Sequence, residues 1–222
     1  MASAALARRL DDVARRLSGR YGVPGRRRAD PLDVLIETVL SQHTSDVNSG
    51  RAFRALKAAW PSWPLAARAP RAALERAIRP GGLAKLKSHR ILRILAALRR
   101  REGRYDLGVL RRLSPPDALR RLDGLPGVGP KTRACVLLFG CGHPEFPVDT
   151  HVHRIVRRLG LAPGRASAEQ AHARLAPAVP PRGAMGLHLN LIRLGRELCR
   201  PRDPLCAECP LRRLCAYARR AA

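Results

Sequence analysis

Apolar residues return every three or four positions along almost the whole chain, and this spacing constrains the fold more than any other feature. Leu6, Leu10, Val13 and Leu17 form one series; Leu32, Leu35, Ile36, Val39 and Leu40 form a second. Leu86, Ile91, Leu92, Leu95 and Leu98 form a third, and Ile155, Val156 and Leu159 a fourth. Each series puts its apolar side chains on one face of an α-helix. Alternating runs of Val, Ile, Thr and aromatic residues are nearly absent, and with 4% aromatic content a sheet-based core would be hard to assemble. The pattern predicts an all-α chain. Its 222 residues, 45% of them hydrophobic, suffice for one large domain or two modest ones with ordinary cores. Breaks at 18–31, 60–64, 80–82, 114–116, 124–130, 142–147 and 178–183 separate helices of ordinary length.

Charge narrows the partner. Lys and Arg total 43 against 17 Asp and Glu, a net charge of +26, so a polyanion is expected, with nucleic acid ahead of an anionic membrane surface. No apolar run approaches the roughly 20 residues that span a bilayer, and Arg8, Arg9, Arg15 and Arg16 interrupt any secretory signal. The chain reads as soluble, cytosolic or nucleoid-associated, without a membrane partner. Arg26-Arg27-Arg28 and Arg219-Arg220 are local basic clusters of the kind that usually form solvated faces. Only Lys57, Lys85, Lys87 and Lys131 are lysines. Arg binds phosphate bidentately and keeps its proton, whereas Lys can lose its proton and attack, so a lysine retained here invites scrutiny.

The segment from Leu122 to Ala134 contains Leu125-Pro-Gly-Val-Gly-Pro-Lys131-Thr. Gly127 and Gly129 can take positive φ and allow close backbone approach, Val128 can point into a core, and Pro130 suits the first position of a helix. Apolar helices on both sides make this a helix-hairpin-helix. Its backbone N–H groups and helix dipole form an anion site that suits DNA phosphate without reading bases. Lys131 is the second residue of the new helix, where the dipole and nearby arginines favour the neutral amine, the form that attacks a carbonyl-like carbon such as C1′ of a deoxyribose losing its base. A phosphate-binding lysine fits the same position. Downstream, Phe146-Pro-Val-Asp149-Thr-His151 leads into another helix. Asp149 can cap that helix, and a carboxylate near a sugar can also stabilise positive charge at C1′ and move a proton.

Six cysteines divide into Cys135 and Cys141, in an apolar stretch that suits buried small residues, and Cys199, Cys206, Cys209 and Cys215 near the C-terminal end. The second group has the spacing C-x6-C-x2-C-x5-C, interrupted by Pro201, Pro204 and Pro210. Four converging thiolates suit zinc or an iron–sulfur cluster.

Through Leu125-Pro-Gly-Val-Gly-Pro-Lys131-Thr and Val148-Asp149-Thr-His151, the chain resembles the endonuclease III branch of the helix-hairpin-helix DNA glycosylases, from about Pro31 to Cys215. The resemblance makes Lys131 the Schiff-base nucleophile and Asp149 the catalytic carboxylate. It makes Cys199, Cys206, Cys209 and Cys215 the ligands of a 4Fe-4S cluster, anchoring a loop whose Arg200 and Arg202 face phosphates. Gln42 or His43, in Ser41-Gln-His-Thr-Ser-Asp46, would fill the space left by an extruded base, and Leu83 would wedge into the stack. Gly127 and Gly129 would hold backbone phosphate.

The fold implied is two-lobed, a helical barrel over 24–143 and a cluster-bearing lobe of 1–23 plus 144–222, with Lys131 and Asp149 supplied from opposite sides. The function implied is a monomeric bifunctional DNA glycosylase and AP lyase of base excision repair. It would remove oxidised pyrimidines from double-stranded DNA and nick abasic sites by β-elimination. A monofunctional mismatch or base glycosylase, or a catalytically weak helix-hairpin-helix DNA-binding module, fits the same motifs.

Overall fold

The structure, a computed structural model, describes residues 2–25 and 29–220; among them the regular structure is helical, with no strand. The Arg26–Arg28 cluster lies outside the described residues. The helices are α1 (Ala2–Tyr21), α2 (Pro31–Leu40), α3 (Asp46–Ala59), α4 (Trp63–Ala67), α5 (Arg71–Ala77), α6 (Ala84–Glu102), α7 (Pro115–Leu122), α8 (Pro130–Cys135), α9 (Thr150–Arg158), α10 (Ala168–Leu175) and α11 (Ala184–Glu197). Among the described residues, no helix is long and apolar enough to cross a membrane. The chain divides into two compact units, Met1–Arg27 with His143–Ala222, and Arg28–Gly142.

In the second unit the apolar series close on one another. Leu35, Ile36 and Val39 of α2, Leu56 of α3 and Ile91 and Leu95 of α6 have no exposed surface and share one core with Val136 and Leu137. Helix α2 starts where the Asp30 carboxylate accepts from the N–H groups of Leu32 (2.9 Å) and Asp33 (3.0 Å), with Pro31 at the first position. The helix expected after the hairpin is α-helical only as α8; Val136–Cys141 continues it as a π-helix. That turn passes so close to α2 that a Cβ on Gly140 would lie 2.7 Å from the Pro31 Cα, so only glycine fits.

In the first unit, α1 buries Leu6, Leu10, Val13 and Leu17 and packs on α11. It runs through Ser18 and Gly19, past the expected break, and stops only where Gly22 turns left-handed (φ 77°) and donates to the Ser18 carbonyl (2.8 Å). Asn190 of α11 donates to the Gly22 carbonyl (3.0 Å), and a Cβ on Gly186 would lie 3.7 Å from Pro24 Cδ. These contacts hold Pro24 in the first unit, where the sequence had assigned it to the barrel; His143 also falls in the first unit.

Candidate active site

The hairpin is built as a glycine turn between α7 and α8. Gly127 is left-handed (φ 70°), as is Gly124 (φ 73°), but Gly129 is not: it is extended (φ −85°, ψ −178°) and serves as the N-cap of α8. The N-terminus of α8 receives no side-chain cap, and nothing lies within 4 Å of the place a Cβ on Gly129 would occupy. N–H groups at such a helix start need an acceptor, and an anion can supply it. Val128 packs partly into the unit's core and donates to the Leu125 carbonyl (3.1 Å), which fixes the bend. Lys131 follows at the second position of α8, partly exposed, while its neighbour Thr132 is buried.

Asp149 lies in the first unit. Its Oδ1 accepts from the Val152 N–H (2.8 Å), so it caps α9, and the residue is only partly buried. The extended strap leading to it is held by two histidines. His172 Nδ1 donates to the Phe146 carbonyl and His188 Nδ1 to the Pro147 carbonyl, each at 2.9 Å. One turn along α9, Arg154 donates to His151 Nδ1 (3.2 Å) and to the carbonyls of Gly195 (2.9 Å) and Cys199 (3.0 Å). Burial lowers the Arg154 pKa, and Asp149 is among the groups acting against that shift. Gly195 is required for this packing, because a Cβ there would lie 2.7 Å from His151 Nδ1.

All four C-terminal cysteines line one cavity, together with Arg158, Leu198, Leu205 and Tyr217. Arg158 organises it. Its guanidinium donates to Cys199 Sγ (3.3 Å) and to the carbonyls of Arg200 (2.7 Å) and Pro201 (3.0 Å), and it stacks on the Tyr217 ring at 4.6 Å. Its backbone carbonyl accepts from Cys215 Sγ (3.3 Å). Burial raises the Cys206 and Cys209 thiols, and repulsion from the other thiols of the group adds to it. Among the described residues no three His, Cys, Asp or Glu side chains are arranged to hold a metal ion as they stand. Four thiols around a single cavity nevertheless form a donor set that fits a thiolate-bound cluster. Arg200 and Arg202 are exposed on the loop between Cys199 and Cys206, and Arg200 Nε donates to the Glu197 carbonyl (3.1 Å). Cys135 and Cys141 are buried elsewhere, the latter with its thiol raised to about 11 by desolvation.

The other expected DNA contacts belong to the second unit. Leu83 is 52% exposed and left-handed (φ 47°, ψ 37°), a conformation that costs a branched side chain about 1–2 kcal/mol. His43 is also left-handed (φ 53°) and exposed, whereas Gln42 is partly buried and accepts through Oε1 from Arg90. Two side chains to which the sequence reading gave no role converge here, Arg90 and Lys87. Lys87 is 1% exposed. Its rarity as a lysine in an arginine-rich chain was the available signal; Arg90 gave none.

A sequence model of the HhH-GPD superfamily base excision DNA repair proteins matches residues 36–181. Endonuclease III of Thermotoga maritima is 35% identical over 211 residues, 95% of this chain and 94% of that protein. A protein of Arabidopsis thaliana whose name assigns it to the DNA glycosylases is 43% identical over 149 residues, 67% of this chain; the match spans about half (51%) of the plant protein. Among solved structures, a non-covalent endonuclease III–DNA complex superimposes with a TM-score of 0.81 at 25% identity, covering 97% of both chains. A trapped endonuclease III–DNA covalent intermediate gives 0.79 at 27% identity, covering 96% of this chain and 94% of that one. The extent of the family match, with whole-length similarity to endonuclease III, shows that the chain belongs to the HhH-GPD superfamily of base excision DNA repair proteins, in its endonuclease III branch.

Proposed function

We propose that this DNA glycosylase is bifunctional, excising oxidised pyrimidines from duplex DNA and then cleaving the strand, with Lys131 as nucleophile and Asp149 as its carboxylate partner. The observation that carries the reading is a lysine at the second position of α8, behind a helix start left open by Gly129. A phosphate bound at that start would hold the adjoining sugar near Lys131 Nζ. The neutral amine adds to C1′ as the N-glycosidic bond breaks and the base leaves with its electron pair, taking up a proton. Asp149 stabilises the positive charge developing on the sugar and accepts a proton from the attacking amine. Ring opening leaves an imine between Lys131 and C1′. Loss of a C2′ proton then expels the 3′ phosphate by β-elimination, and water releases the enzyme. The trapped covalent DNA intermediate of a similar protein supports a covalent step of this kind.

Cys199, Cys206, Cys209 and Cys215 would hold a 4Fe-4S cluster. With every thiolate engaged and no coordination position open to substrate, the group supplies a structural anchor for the loop bearing Arg200 and Arg202.

Borohydride reduction during incubation with an abasic-site duplex tests the nucleophile. Wild-type protein is expected to give a covalent adduct, and Lys131→Gln none. An adduct that persists in Lys131→Gln overturns the assignment, and wild-type base release with nicking only after added alkali makes the enzyme monofunctional. Purified protein that is colourless and carries zinc overturns the cluster.

A further inference from the structure

Residues Leu83, Lys87 and Arg90 stand four and three positions apart, so Lys87 and Arg90 continue along α6 on the side where Leu83 begins it. Lys87 Nζ donates to the Leu40 carbonyl (2.7 Å) and to the Gly81 carbonyl (2.8 Å). Leu40 ends α2, and its carbonyl is one of those a helix terminus leaves without an intrahelical partner. Two residues further on lies Gln42. Gly81 precedes the wedge position Leu83 by two residues, and the Lys87 N–H donates to the Leu83 carbonyl (2.9 Å). One buried side chain therefore ties the residue leading into the void-filling segment to the start of the wedge turn.

Arg90 adds a third tie. Its Nη1 donates to Gln42 Oε1, and its guanidinium lies against Gly127, where any Cβ would overlap it. Burying an ammonium is unfavourable unless strong hydrogen bonds offset it. A position needing only bulk would take Leu or Met. Left-handed Leu83 and His43 are likewise conformations that persist where surrounding structure over-determines them. With the Gln42 amide engaged by Arg90, the residue the segment presents is His43.

We propose that Lys87 and Arg90 are positioning residues for base extrusion, a basic bracket within the second unit that presets His43, Leu83 and the Gly127 turn before DNA arrives. The proposal rests on the glycosylase reading. A preset scaffold lowers the ordering cost of turning a base out of the stack. Its loss should therefore weigh on substrates that still carry a base more than on those that have lost it.

Single-turnover base excision from an oxidised-pyrimidine duplex, compared with strand cleavage at a preformed abasic site, tests this. Arg90→Ala is expected to slow excision about tenfold or more, and abasic cleavage several times less. Adding Gln42→Ala to Arg90→Ala should cost little further, because the two share one contact. Equal losses on both substrates, or fully additive losses, overturn the bracket. Lys87→Met should repeat the substrate split; if thermal melting shows that it does not fold, the Arg90–Gln42 cycle decides alone. A wild type that excises no oxidised pyrimidine refutes the substrate reading instead, and the bracket is then judged by unstacking of 2-aminopurine in bound duplex. A weaker signal in Arg90→Ala supports it and an unchanged signal overturns it.

Discussion

Between Ile91 and Leu98, α6 buries Ile91, Ile94, Leu95, Ala97 and Leu98, and each meets side chains from other helices of the same core. Between Cys199 and Cys215 only Leu211 is buried. The first region is held by apolar area removed from water, a contribution of roughly 25 cal/mol per Å² that needs no particular partner. The second is held by directed contacts. Arg154 and Arg158 reach from α9 to the carbonyls of Cys199, Arg200 and Pro201, and four thiols surround one cavity. A core of the first kind tolerates neighbouring apolar substitutions. A segment of the second kind depends on a few atoms, and metal binding to such a segment is part of its folding free energy.

Helix α9 serves both the anchor and the proposed chemistry, so the sharpest separation is at its first turn. Asp149→Asn keeps an oxygen for the Val152 N–H, and Asn caps about as well as Asp, so stability should change by less than about 1 kcal/mol. Base excision should fall about 10²–10⁴-fold, the range expected when a proton-transfer group is lost. Single-turnover kinetics beside a melting curve measure the two. If both collapse together, Asp149 is chiefly structural and the functional half of α9 disappears.

The two regions were legible in the sequence by different signals. Periodicity in Leu35, Ile36, Val39, Ile91 and Leu95 announces a core face, because burial acts on residue type and spacing alone. The C-x6-C-x2-C-x5-C spacing announces a thiolate site for the same local reason. Contacts to backbone carbonyls leave no such trace, since every residue carries the acceptor. Lys87 meets Leu40 across 47 positions, and Arg158 meets Pro201 across 43. The π-helical turn at Val136–Cys141 was equally hidden; an apolar run with a glycine fits either helix type. At the hairpin, the sequence predicts positive φ and close approach at both Gly127 and Gly129, but Gly129 is extended with open space where a Cβ would stand. The structure gives both features to Gly127.

Trp60 and Trp63, the two tryptophans of the chain, both lie in the second unit, so their fluorescence follows that unit separately from the thiol cavity. Leu95→Ala should destabilise the tryptophan-monitored transition by about 2–5 kcal/mol, as expected for a fully buried leucine that leaves a cavity. The visible absorption of a bound iron–sulfur cluster should bleach at an unchanged denaturant concentration. A cluster signal that shifts in step with the tryptophans would make the two regions one cooperative unit, and the contrast between their modes of stabilisation would lose its thermodynamic meaning.

The converse substitution carries the smaller effect. Arg158→Gln removes the guanidinium that joins Cys199 Sγ, the Arg200 and Pro201 carbonyls and the Tyr217 ring. Charged hydrogen bonds contribute about 1.5–3 kcal/mol each when buried, and partial exposure here puts the expected loss at about 1–3 kcal/mol. That loss should be local. Amide exchange over 198–220 should accelerate and cluster bleaching should move to lower denaturant, while the tryptophan midpoint stays within about 0.5 kcal/mol of wild type. Arg158→Lys should recover little, because one ammonium cannot reproduce a fork that meets two carbonyls and a ring. Full recovery by lysine would reduce the anchor to a point charge, and the C-terminal segment would then owe its order to the thiols alone.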